Sequence, residues 1–67
     1  MELSARNQLK GTITSVKVDG VMAEVTVKVG DNEIVAAITR SSVDRLALKV
    51  GDTATAIIKA TEVIIAK

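Results

Sequence analysis

With 67 residues, nine Lys or Arg against eight Asp or Glu, and 48% hydrophobic content that includes no Phe, Tyr or Trp, the chain is small, nearly neutral and aliphatic. One domain over residues 1–67 is all that this length supports, near the lower end of what folds unaided, where only about 60% of the unfolded surface is buried. The absence of Cys and His excludes disulfides and the usual structural zinc sites, so no free metal cation is expected, and a formal +1 without any basic run is not a nucleic-acid footprint.

In chain order, Gly11 stands at the start of a strand over about 12–18, in which Thr12, Thr14 and Lys17 alternate imperfectly with Ile13, Val16 and Val18. Such an irregularity, with a Gly beside it, is the mark of a bulge or a barrel corner. Asp19-Gly20 signals a hairpin turn. A second strand over 21–29 alternates cleanly, with Val21, Ala23, Val25, Val27 and Val29 on one face and Met22, Glu24, Thr26 and Lys28 on the other. Gly30-Asp31-Asn32 turns the chain again. In the third strand Ile34, Ala36 and Ile38 face one way and Val35, Ala37 and Thr39 the other, so both faces are largely apolar.

The period changes after Arg40. Ser41 or Ser42 is placed to cap a short helix, with Asp44 in its first turn, where the helix dipole favours negative charge. Val43, Leu46 and Val50 fall on one stripe, Leu48 lies to the side, and Gly51 is the stop signal. Two further strands are expected over about 53–59 and 62–66. The fold class is therefore all-β with one short helix: a five-stranded OB-type Greek-key barrel whose helix falls between strands three and four. A core of small aliphatic residues in so short a chain calls for a staple, and with no disulfide or metal available that staple is oligomerisation. No run approaches the roughly 20 apolar residues of a membrane span, and no signal pattern opens the chain, so a cytoplasmic location without membrane contact is expected.

An OB-type barrel raises the alternative of a single-stranded nucleic-acid-binding module. That chemistry stacks bases on exposed aromatics in a basic groove. This chain has neither, and nucleic acid is not expected as a partner. Catalysis is not expected either: without His or Cys nothing activates a hydroxyl, and the eight carboxylates show no catalytic spacing.

What the residues can assemble is a set of hydrogen-bond donors for an oxygen-rich anion, in three clusters. Ser4 brings a hydroxyl, Ala5 room for close backbone approach, and Arg6 a charge. Thr39, Ser41 and Ser42 precede the helix, where hydroxyls and unpaired N–H groups point outward together. Lys59, in Ile57-Ile58-Lys59-Ala60, is a cation among apolar neighbours. Each cluster taken alone also fits an ordinary role: Ser41 and Ser42 as caps, Arg6 and Lys59 as solvated charges, Ser4 as a tail residue, Asn7 and Gln8 as supports of the strand start. Composition and spacing reach an oligomeric β-barrel with anion-binding potential.

Four stretches carry the reading further. Ser4-Ala5-Arg6-Asn7-Gln8-Leu9-Lys10-Gly11, Val35-Ala36-Ala37-Ile38-Thr39 leading to Ser42, Leu46-Ala47-Leu48-Lys49-Val50-Gly51 and Ile57-Ile58-Lys59-Ala60-Thr61-Glu62-Val63 together resemble the molbindins, the Mop-type domains, over essentially the whole chain. The resemblance implies an OB-type domain assembled as a homohexamer, a trimer of dimers, that binds molybdate or tungstate between subunits. It implies ligands from Ser4, Arg6 and Lys59 of one chain and Thr39 and Ser42 of another, with backbone N–H groups of Ala5 and Val43 added. A further class of site near the threefold axis belongs to the same pattern. For a single unit without a DNA-binding or transporter portion, it implies molybdenum storage and homeostasis.

Overall fold

The computed structural model describes residues 2–67. Its elements are β1 (Asn7–Asp19), β2 (Met22–Val29), β3 (Asn32–Thr39), helix α1 (Arg40–Leu46) and β4 (Thr53–Ile58), followed by one 3-10 turn (Ala60–Glu62). The strands form one antiparallel sheet in the order β3-β2-β1-β4. Two-residue loops join β1 to β2 and β2 to β3, bracketed by the pairs Asp19–Met22 and Val29–Asn32. Gly20 (φ +62°) and Gly30 (φ +60°) occupy their first central positions, where a primed hairpin turn needs a positive φ.

β1 makes the sheet curl. Its first half pairs with β4, from Asn7–Ile58 to Thr12–Thr53, and its second half with β2, from Thr12–Lys28 to Asp19–Met22. Between Ile13 and Ser15 the register shifts, so Thr14 is a bulge that bends the strand. Gly11 sits beside that bend, where a Cβ would collide with the Lys28 carbonyl and stand 2.9 Å from Val27 Cγ1. The imperfect alternation and the Gly both had this cause.

Alternation decides the core. Ala23, Val25 and Val27 of β2 join Ile13 of β1 and Val43 of α1 as the buried cluster, with Val16, Val29, Ile38, Leu48 and Ala54 packed against it. Ile13, at 1% exposure, is the most deeply buried large side chain. Ile34, Ala36 and Ile38 of β3, and Ala54, Ala56 and Ile58 of β4, are half-buried on the same concave side. The edge strands β3 and β4 thus face each other across an open apolar trough of about 500 Å³. The result is a curled half-barrel.

Four strands, rather than five, are present among the described residues, and the expected strand over 62–66 does not form within the chain. The reason is pairing rather than propensity. Val63 has extended backbone (φ −83°, ψ 130°), and the aliphatic run continues, but no ladder of this chain runs alongside it. Ile64 and Ile65 are left 90% and 85% exposed.

The helix also differs from expectation. Thr39, not Ser41 or Ser42, is its N-cap, and its hydroxyl accepts from the Ser42 N–H at 3.2 Å. Starting two or three residues earlier, the helix has no acidic residue in its first turn, so Asp44 falls beyond it. It ends at Leu46, well short of Gly51, because Ala47 adopts the left-handed conformation (φ 51°) and the Leu48 N–H closes back on the Val43 carbonyl at 3.0 Å. That closure brings Leu48 onto the core and leaves Leu46 (61%) and Val50 (64%) exposed, so Val43 alone of the expected stripe is buried.

Candidate functional site

The antiparallel register builds the first part of the site. β1 and β4 end on the pair Asn7–Ile58. Arg6 precedes that pair and Lys59 follows it, so the end of the ladder brings the two cations to one corner. Side chains alternate across a strand, and the half-buried Asn7 and Ile58 point inward; Arg6 and Lys59 are exposed. Like charges so placed are locally unfavourable, which marks the corner as one suited to a counter-charge.

These cations line a depression of about 510 Å³ together with Ser4, Ala5, Asn7, Ala60 and Thr61. Among the described residues no carboxylate lines it. It offers two cationic groups, the hydroxyls of Ser4 and Thr61, and the backbone around the bend at Ser4. Its chemistry is donor-rich and acceptor-poor, the reverse of a cation site. Asn7 is tied down, its Nδ2 donating to the Ile58 carbonyl at 3.1 Å. Gln8 Nε2 donates to the Ala5 carbonyl at 2.7 Å, folding residues 5–8 onto themselves.

The second part lies at the other end of β1. Thr39 pairs with Met22, which pairs with Asp19. Around the Thr39 hydroxyl the Ser42 Oγ sits at 2.8 Å and the Ser41 Oγ at 3.2 Å, a knot of three hydroxyls at the helix start. Thr39 and Ser41 line a separate depression of about 450 Å³ with Gly20, Val21, Arg40 and Asp44. Ser42 is half-buried and Val43 is core, and with Thr39 as the N-cap the Val43 N–H is the first donor of the helix, directed to the Thr39 carbonyl.

Four of the seven site residues expected from sequence, Ser4, Ala5, Arg6 and Lys59, therefore line one depression. Thr39, Ser42 and Val43 gather elsewhere, and the depression that Thr39 lines shares no residue with the first. Sequence reasoning overlooked Thr61, although it stands two residues after Lys59 inside one of the recognised stretches. It also overlooked Arg40, a cation beside Thr39.

The fold is a curled antiparallel sheet with one short helix and a basic corner that, among the described residues, no carboxylate lines. Comparison with known proteins makes the assignment specific. The chain belongs to the TOBE domain family, whose model matches residues 3–65, and to its Mop-type branch. It is 44% identical over 66 residues to molybdenum-pterin-binding protein 1 of Clostridium pasteurianum, covering 97% of each chain. Its fold superposes on a molybdate binding protein from Sporomusa ovata with a TM-score of 0.95 at 42% identity, covering 100% of both chains. The molybdate-bound structure of the cytoplasmic molybdate-binding protein ModG matches 90% of this chain and 43% of its own, at 43% identity and a TM-score of 0.85.

Proposed function

We propose that this protein binds molybdate or tungstate at sites shared between subunits of a homo-oligomer, and that it stores molybdenum in the cytoplasm without catalysing a reaction. One observation carries the reading: Arg6 and Lys59 meet in a depression that, among the described residues, no carboxylate lines. A tetrahedral dianion matches two cations in charge, and its oxygens accept in every direction. Burying it unpaired would be prohibitive, so the donors of Ser4, Arg6, Lys59 and the Ala5 N–H replace its hydration shell. The Mop-type relatives named above supply the identity of the ion.

The remaining donors come from a neighbouring chain in this reading. Thr39 and Ser42 belong to another part of the surface, and a hydroxyl rotates readily to face an incoming oxygen. The exposed aliphatic run Val63-Ile64-Ile65 and the open trough are surfaces that association covers, and the assembly is a hexamer built as a trimer of dimers. Among the described residues no helix is long and apolar enough to cross a membrane.

Complementation tests the shared site. An Arg6→Ala/Lys59→Met chain and a Thr39→Val/Ser42→Ala chain are each expected to lose most molybdate uptake. Unfolded and refolded together, they recover a fraction of it, because some interfaces then join two intact halves. No recovery in a mixed oligomer would place all the ligands within one chain and overturn the shared arrangement.

A further inference from the structure

The depression at Arg6 is flanked by two side-chain amides whose hydrogen bonds go to backbone carbonyls. Gln8 Nε2 donates to the Ala5 carbonyl at 2.7 Å, and Asn7 Nδ2 donates to the Ile58 carbonyl at 3.1 Å. Only the amide nitrogen can donate to a carbonyl, so the direction of both bonds is settled by chemistry. Ile58 is the residue before Lys59, and Ala5 the residue before Arg6. Each cation is thus preceded by a peptide whose carbonyl is held by an amide from residues 7–8.

The Ala5–Arg6 peptide has a consequence for the anion. It is trans, so its N–H points opposite to its C=O. The carbonyl is turned onto Gln8, which does not line the depression, whereas Ala5 and Arg6 both do. We propose that Gln8 and Asn7 are positioning residues: Gln8 holds the Ala5 carbonyl away so that the Arg6 backbone N–H faces the bound oxyanion, and Asn7 holds the Lys59 corner against it. The inference rests on the oxyanion reading of this depression. It makes Arg6 a double donor, through its guanidinium and its own N–H. It also keeps a carbonyl lone pair out of an anion site, where it would repel the ligand.

The test compares wild type with Gln8→Met and Asn7→Leu, which keep much of each side chain's bulk and lose the donor; Gln8→Ala removes the donor without the longer apolar stem. Three quantities are read: molybdate affinity, the melting temperature without ion, and the Arg6 amide resonance during titration. In wild type the Arg6 amide moves strongly as molybdate saturates. In the Gln8 variants affinity falls roughly tenfold, the size of one lost hydrogen bond, and the Arg6 amide response collapses while the ion-free melting temperature holds. Asn7→Leu weakens affinity and retains the Arg6 amide response. If wild type binds and the Gln8 variants bind equally well with the Arg6 response intact, the positioning role is overturned and the oxyanion reading stands. If wild type takes up no molybdate, the oxyanion reading fails and the positioning role with it.

Discussion

Two depressions of almost the same size, about 510 and 500 Å³, share Lys59, which among the described residues alone lines both. The trough between β3 and β4 is walled by Ile13, Val25, Val27, Ile34, Ile38 and Ile58, with Lys59 and Glu62 as its charged members. The corner at the start of β1 is walled by Ser4, Arg6, Asn7, Lys59 and Thr61. Volume does not distinguish them; lining does. The trough gains by losing water, and the corner gains by exchanging water for a ligand that accepts hydrogen bonds. One is the unfinished core of a small domain, and the other is the proposed oxyanion site.

The two regions should therefore separate under mutation. The largest effect is expected at the floor of the trough, where Ile13→Ala should cost about 2–5 kcal/mol in urea unfolding and leave molybdate affinity of the folded protein unchanged. Equal damage to both would mean that the regions are not independent. Arg6→Ala and Lys59→Met should do the opposite. Each removes a charged hydrogen bond worth about 1.5–3 kcal/mol, so affinity by titration should fall roughly ten- to hundredfold. Ion-free stability should hold or rise, because two like charges at one corner become one.

Gly11→Ala probes the bend that the two regions share. A Cβ there meets the Lys28 carbonyl. The expected cost is about 1–3 kcal/mol, with some loss of affinity because the end of β1 moves with the bend. Unchanged stability would show that β1 tolerates a different path. The smallest loss of stability belongs to the second hydroxyl cluster. Thr39→Ala should cost about 1 kcal/mol through the lost cap. Thr39→Ser should restore both that stability and the molybdate affinity that Thr39→Ala loses.

Much of this architecture was legible in the residues. The β2 alternation of Ala23, Val25 and Val27 announced the core, and the two glycine turns announced the hairpins. Gly11 with the broken period of β1 announced the bulge. What failed did so for lack of long-range information. Val63-Ile64-Ile65 reads as a strand by propensity, yet a strand exists only where an edge receives it. Leu46 and Leu48 could not be sorted by a helical wheel, because the helix stops at a left-handed Ala47, a conformation that no turn residue signals. Of the proposed site, the sequence offers the residue types at Ser4, Arg6 and Lys59, and the structure brings these three to one depression. Their meeting depends on the Asn7–Ile58 register across 51 residues of chain, which local pattern does not contain.

The central claim is that the corner of Arg6 and Lys59 holds a tetrahedral oxyanion. Isothermal titration of the wild-type protein with molybdate, run against sulfate and phosphate, tests it most directly. The account predicts tight, saturable heat with molybdate and little with sulfate or phosphate. A flat molybdate titration from an intact, folded protein would contradict it.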